Sequence, residues 1–246
     1  MSYTWDWMVF FRPAYSGGGI YLDWLIAGLK WTLLVSLGAW VIAFALGSLL
    51  GVARTTPYGP LRALAAAYVE GVRNVPLLVQ MFLWFFVVPE LVPQSWGEWL
   101  KTGMPFPEFW TAMVCLGTYT ASRVAEQVRA GILSLPRGQT HAALAVGLTL
   151  PQAYRYVLLP MAYRIIIPPL TSEFLTIFKN SSVALTIGLL ELTAQSRQIT
   201  DFTFQGFEAF TAATVLYVVI TMIVMLAMRW LEARVRVPGT IGLGAK

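Results

Sequence analysis

The sequence predicts an all-α membrane protein with five transmembrane helices, and three observations carry that prediction. Hydrophobic residues make up 57% of the 246-residue chain and charged residues only 12%, where a soluble domain carries about 25%. Residues 31–53 and 209–228 contain no Asp, Glu, Lys or Arg. As helices they run about 35 Å and about 30 Å, enough to cross a hydrocarbon core of about 30 Å. Basic residues, finally, gather at alternating ends of successive apolar stretches, the pattern that sets orientation in a membrane.

Taken in order, the spans are read at residues 22–53, 61–91, 109–133, 162–190 and 209–231. One end of this bundle collects Arg54, Arg62, Arg129, Arg137, Arg155, Arg164, Arg229, Arg234, Arg236 and Lys246. The other end has Arg12, Lys30, Lys101 and Arg197. The basic end is expected to be cytoplasmic, which puts the N-terminus outside and the C-terminus inside. Trp5, Trp7, Trp24, Trp96 and Trp99 fall near the outer ends, where amphipathic rings sit among lipid headgroups. No internal repeat is visible, so residues 1–246 read as a single membrane domain with its core at 22–231.

The composition also excludes several classes. One Cys, Cys115, and one His, His141, cannot furnish a disulfide, a structural zinc site or an iron–sulfur cluster. The +5 net charge follows from the topology and is no argument for nucleic acid. The start, with Trp5, Asp6 and Trp7, lacks the basic head and short apolar core of a cleavable signal, so the first span is expected to act as its own insertion signal.

The cytoplasmic connection at residues 136–163 is long and strongly patterned. Residues 140–146 read as a short helix rich in small side chains, and Gly147 is placed to end it in a left-handed conformation. Thr149 then opens a second helix, with Gln152 completing a capping box and Pro151 in the first turn. Pro160 is expected to end it. Two short helices at an angle form either an amphipathic hairpin resting on headgroups or a knob for a partner's groove. Ala142, Ala143 and Ala145 favour the knob, because small residues permit close approach.

This segment resembles the EAA loop of ABC importer permeases. That motif reads Glu-Ala-Ala, Gly, an aliphatic residue and Leu-Pro, and this chain has His141-Ala142-Ala143, Gly147, Val157 and Leu159-Pro160 at the same spacings. His141 stands where the family has glutamate. Three further stretches are similar to the polar amino acid branch of the family. They are Tyr68, Glu70, Arg73, Asn74, Pro76 and Gln80; Ala125, Glu126, Arg129 and Gly131 through Gly138-Gln139; and Pro169, Glu173, Phe174 and Lys179 through Ser182. Within that branch the likeness is to permeases of glutamate/aspartate importers. The resemblance implies type I importer architecture and a bacterial inner membrane. It implies as partners a dimer of ABC ATPases, a periplasmic solute-binding protein and a second permease, either a sister chain or a second copy of this one, with the likeness to a heterodimeric system favouring the sister. His141, Ala142, Ala143, Gly147 and Pro160 would then couple to the ATPases.

A lone charge at mid-bilayer costs a few kcal/mol, so charged residues in spans face protein or water. Glu70 and Arg73, then Arg123 and Glu126, are spaced to pair within one helix; Glu173 and Lys179 are not. Such charges serve either as internal ion pairs or as the lining of a path. A zwitterion crossing the membrane needs both a cation and an acceptor. Arg123, Glu173, Arg73 and Glu70 are the candidate substrate-binding residues, with Glu173 in the signature of the resembled branch and Arg123 where its relatives usually carry Tyr. Arg123 would meet a side-chain carboxylate and Glu173 the substrate ammonium, which favours an acidic amino acid over glutamine or another polar one. Gly47, Gly51 and Gly117 are expected at close helix crossings, and Pro76, Pro168 and Pro169 at local breaks.

Two other classes compete. A self-contained secondary amino acid transporter could use the same charges, but five spans without inverted repeats and an ordered cytoplasmic knob do not suit it. A membrane enzyme would need a catalytic motif, and neither G-x-S-x-G nor H-E-x-x-H is present. The chain also lacks a G-x-x-x-x-G-K-[ST] phosphate loop, so ATP and magnesium are expected on separate ATPase subunits and no cofactor on this chain.

Overall fold

The computed structural model describes residues 3–15 and 18–235; Arg236 and Lys246, counted above at the basic end, lie outside them. A short 3-10 turn, Trp7–Phe11, precedes nine helices among the described residues. These are α1 (Tyr21–Ala53), α2 (Gly59–Arg73), α3 (Leu77–Leu91), α4 (Gln94–Glu98), α5 (Pro107–Leu133), α6 (Arg137–Ala145), α7 (Leu150–Ile187), α8 (Leu192–Thr203) and α9 (Gly206–Val235). The only strand-like pairing described is an isolated bridge between Pro13 and Ile20.

Helices α1 and α5 form the centre. The face of α1 turned to α5 carries small residues at helical spacing, with Ala39, Ala43, Gly47 and Gly51 all buried. A Cβ added at Gly47 would lie 2.6 Å from Cβ of Val124, and one at Gly51 would lie 2.6 Å from Cβ of Val128. Glycine at both places lets the two backbones approach, as small-residue pairs do in membranes, where packing rather than hydrophobic exclusion drives association. Around this crossing α3 and α7 complete the main core, with Met81, Leu116, Leu170 and Ile177 buried. A second cluster joins the N-terminal segment to α1, α8 and α9 through Val9, Leu25, Leu192, Ile199 and Ala209.

By length and apolarity α1 and α9 can each cross a membrane alone, and the pairs α2–α3 and α7–α8 qualify only as bent pairs. α5 has the length of a span, but Arg123, Glu126 and Arg129 make it more polar. The stretch at 61–91 is therefore not the single straight helix expected. Its halves meet at 103°, and the break falls at Asn74, Val75 and Pro76. Pro76 has no N–H to give the carbonyl of Val72, so the helix cannot continue without loss. The Gln80 side-chain amide supplies the donor, 2.7 Å from the Val72 oxygen and 2.9 Å from that of Val75. Backbone groups freed by such a break need internal partners of this kind wherever water is excluded.

The expectation that Pro160 ends the second loop helix is not met, because α7 runs on to Ile187. The turn before the proline is widened. The Leu159 N–H bonds the Tyr154 carbonyl five residues back, through a π-helical segment, Tyr154–Leu158. The same device precedes Pro89, where the Val88 N–H reaches the Leu83 carbonyl. A wide turn draws aside the carbonyl that the proline ring would strike. Pro168 and Pro169 likewise sit inside the helix without breaking it. α7 stops instead at Gly188, at φ +93°. Glu191 then caps α8, a helix not foreseen from sequence, accepting from the N–H groups of Thr193 and Ala194 at 2.9 and 2.8 Å.

Candidate functional site

Two groups of residues carry the chemistry, one in the loop and one among the helix ends. In the loop, α6 closes with the Gly147 N–H bonded to the Leu144 carbonyl at 3.0 Å and the Leu148 N–H to that of Ala143 at 3.2 Å. These are the two bonds of a Schellman motif, and Gly147 takes the left-handed φ of +90° that it requires. Thr149 caps α7 through Gln152, whose Oε1 accepts from the Thr149 backbone N–H at 2.8 Å and from its hydroxyl at 2.9 Å. The chain thus turns sharply between two well-capped helices, as the spacing predicts.

Ala143 is buried beneath α6, while His141 and Ala142 face outward beside the exposed Leu144 and Val146. The Tyr154 hydroxyl donates to the Thr55 carbonyl at 2.8 Å and so holds the loop against the end of α1. Pro160 lies beyond the turn, within α7, and takes no part in the protruding tip.

The charged residues do not pair as their spacing suggests. Glu126 on α5 is shared by three guanidiniums: Arg54 at the end of α1, Arg73 at the end of α2 at 3.6 Å, and Arg129 at 3.5 Å. Neither the Glu70–Arg73 pair nor the Arg123–Glu126 pair forms among the described residues. The ends of α1 and α2 converge on Glu126 of α5, and Arg129 of its own helix joins them where Arg123 does not. Glu70 is exposed on α2 without an ion pair among the described residues.

Arg123 turns away from Glu126. Its Nη2 donates to the Tyr119 hydroxyl at 3.0 Å, and its guanidinium carbon lies 5.3 Å from the centre of that ring. Glu173 on α7 is half-buried, with Oε2 enclosed and without a hydrogen-bond partner among the described residues. Glu173 forms no ion pair with Lys179 there. Both Arg123 and Arg73 act on Glu173 electrostatically. Three of the four residues expected to bind substrate therefore share one region, and Glu70 is not joined to it by any described contact.

Sequence reasoning missed Tyr119, Tyr154 and the role of Arg54. Tyr119 precedes Arg123 by four residues, one helical turn, and could have been found by that spacing. The Tyr154–Thr55 and Arg54–Glu126 contacts span residues far apart in the chain and leave no local signal.

Residues 26–237 match the family model described as binding-protein-dependent transport system inner membrane component. The chain is 50% identical over 244 residues to the glutamate/aspartate import permease protein GltJ of Escherichia coli K12, covering 98% of this chain and 99% of that one. It is 32% identical to the glutamate/aspartate import permease protein GltK of Escherichia coli O6:H1, over 69% of this chain and 75% of that one. A crystal structure of an amino acid ABC transporter with histidines superposes with a TM-score of 0.73 at 30% identity, covering 87% of this chain and 95% of that one.

Proposed function

Because this chain belongs to the binding-protein-dependent transport system inner membrane components, a family of transport subunits rather than enzymes, we propose that it forms the path for an acidic amino acid. Glutamate or aspartate would be handed to it by a periplasmic binding protein, with ATP hydrolysed on separate ATPase subunits. The reading is supported by Glu173, whose Oε2 is enclosed without a hydrogen-bond partner among the described residues and on which Arg123 and Arg73 both act electrostatically. An acidic amino acid brings two carboxylates and one ammonium. Arg123 meets the side-chain carboxylate, through the forked, permanently charged group suited to it, and Glu173 receives the ammonium. The full-length likeness to GltJ supports the same substrate class.

In this reading the chain crosses the membrane five times, with α2–α3 and α7–α8 as broken crossings and α5 as a polar one that faces protein. The N-terminus is periplasmic and the C-terminus cytoplasmic, which places the loop at 136–163 on the ATPase side. Its tip, with His141, Ala142 and Gly147, seats in the ATPase and carries the nucleotide-driven motion to the helices. The other permease is a sister chain, a choice supported by two distinct Escherichia coli permeases, GltJ and GltK, that carry the same glutamate/aspartate name. Nucleotide must favour one state of the permease pair by differential contacts at this seat.

The test is uptake by proteoliposomes holding the assembled complex and its binding protein. Labelled glutamate and aspartate should enter with ATP, and excess unlabelled glutamine should compete poorly. Preferential uptake of glutamine or arginine would overturn the acidic reading. Uptake that needs no ATPase subunit would favour a secondary transporter.

A further inference from the structure

Beneath the loop at 136–163 lies a cavity of about 610 Å³ whose lining includes none of the residues assigned to substrate. It is walled by the turn after α1, the end of α5 and both loop helices. Its polar lining is Arg62, Arg137, Thr55, Thr56, Thr140 and Tyr154, and the hydroxyls of Thr55, Thr56 and Tyr154 already donate to backbone carbonyls. Neither arginine forms an ion pair among the described residues, although five other basic side chains there do. The rest of the lining includes Ile132, Leu133 and Leu158, and Leu133 is 60% exposed at the cavity's edge. Two guanidiniums, both exposed and without an ion pair among the described residues, call for an anion with several oxygens. The apolar wall, open at the side, calls for a chain attached to that anion. A basic pocket between membrane helices at the cytoplasmic end is a headgroup site by its electrostatics.

We propose that this cavity binds the phosphate headgroup of an anionic phospholipid, with the acyl chain leaving past Leu133. The lipid then bridges α2 and α6 through Arg62 and Arg137, and so steadies the loop from below. The proposal rests on membrane insertion with this end cytoplasmic, and not on the identity of the substrate.

The test is native mass spectrometry of the full complex, extracted in detergent and titrated with phosphatidylglycerol or with phosphatidylethanolamine. Phosphatidylglycerol should bind more tightly, and millimolar inorganic phosphate should not displace it. The double variant Arg62→Gln and Arg137→Gln should bind it roughly thirtyfold more weakly, the loss expected for two headgroup-directed charges. Lysine at both positions should restore much of the affinity, and Arg229→Gln should leave it unchanged. Equal binding of the two lipids, full displacement by inorganic phosphate, or unchanged affinity in the glutamine variant would overturn the proposal. Loss of the ATPase subunits with lipid retained would also overturn it, and would assign the arginines to protein docking. Lipid binding is read without transport, so an error in the substrate reading leaves the result interpretable.

Discussion

The guanidinium of Arg73, at the end of α2, lies 3.6 Å from the carboxylate of Glu126 on α5. Arg54 and Arg129 share that carboxylate, so one acid on α5 holds the ends of α1 and α2. Removing the acid leaves three cations facing one another. Glu126→Gln is expected to destabilise the permease by about 2 kcal/mol, the scale of an orphaned, partly buried charge. Thermal unfolding of the detergent-solubilised complex measures this. Arg129→Ala should cost under about 1 kcal/mol, because that residue is 39% exposed and its contact is the ordinary surface kind. Equal losses from the two variants would contradict the hub.

Gly147 carries the geometry of the loop. No atom lies within 4 Å of where its Cβ would be, so the constraint is the φ of +90° alone. Gly147→Val should therefore strain or reshape the turn at a cost of about 1–2 kcal/mol, while Gly147→Asn should be better tolerated. The valine variant is expected to insert and assemble, yet to hydrolyse ATP without matching uptake. Transport and ATPase activity measured together in proteoliposomes check this. Normal coupling in the valine variant would remove the main support for the docking role.

The α1–α5 crossing makes a different demand. A Cβ at Gly47 would sit 2.6 Å from that of Val124, whereas one at Gly59 would meet nothing within 4 Å. Gly47→Val should lower stability by about 1–3 kcal/mol through overpacking, and Gly59→Ala by less than about 1 kcal/mol. Unfolding midpoints of the two variants, compared in the same detergent, decide it. Equal midpoints would mean that the helices part easily.

Glu173 distinguishes a path from a brace. Glu173→Gln removes the acceptor charge with little change of shape, and uptake is expected to fall at least tenfold. Assembly and docking of the binding protein should persist, as read by co-purification. Loss of assembly would show that the carboxylate is structural.

Legibility followed locality. The Gly147 turn and the Thr149–Gln152 box were readable to the residue, because each is settled by neighbours in the chain. Gly47 and Gly51 signalled a close crossing, but not that α5 would be the partner. The second stretch showed its Pro76 in plain view, but hydropathy reports apolarity and not direction, so the 103° bend stayed hidden. Pro160 misled because a widened turn absorbs what a proline ordinarily breaks. The Glu70–Arg73 and Arg123–Glu126 pairs were wrong because spacing along one helix says nothing about the ends of other helices arriving at the same place. Arg123 and Glu173 were both named from sequence, but their nearness depends on how α5 and α7 pack.

That nearness is the centre of the account, and Arg123 is its most direct test. Uptake of labelled glutamate is measured in proteoliposomes carrying the complex with Arg123→Tyr or Arg123→Lys, beside ATPase activity stimulated by the liganded binding protein. Tyrosine removes the charge; lysine keeps it without the fork. The account predicts severe loss of glutamate uptake with tyrosine, partial recovery with lysine and little change in stimulated ATPase activity. Unchanged glutamate uptake by the tyrosine variant would contradict it and leave substrate choice to the binding protein.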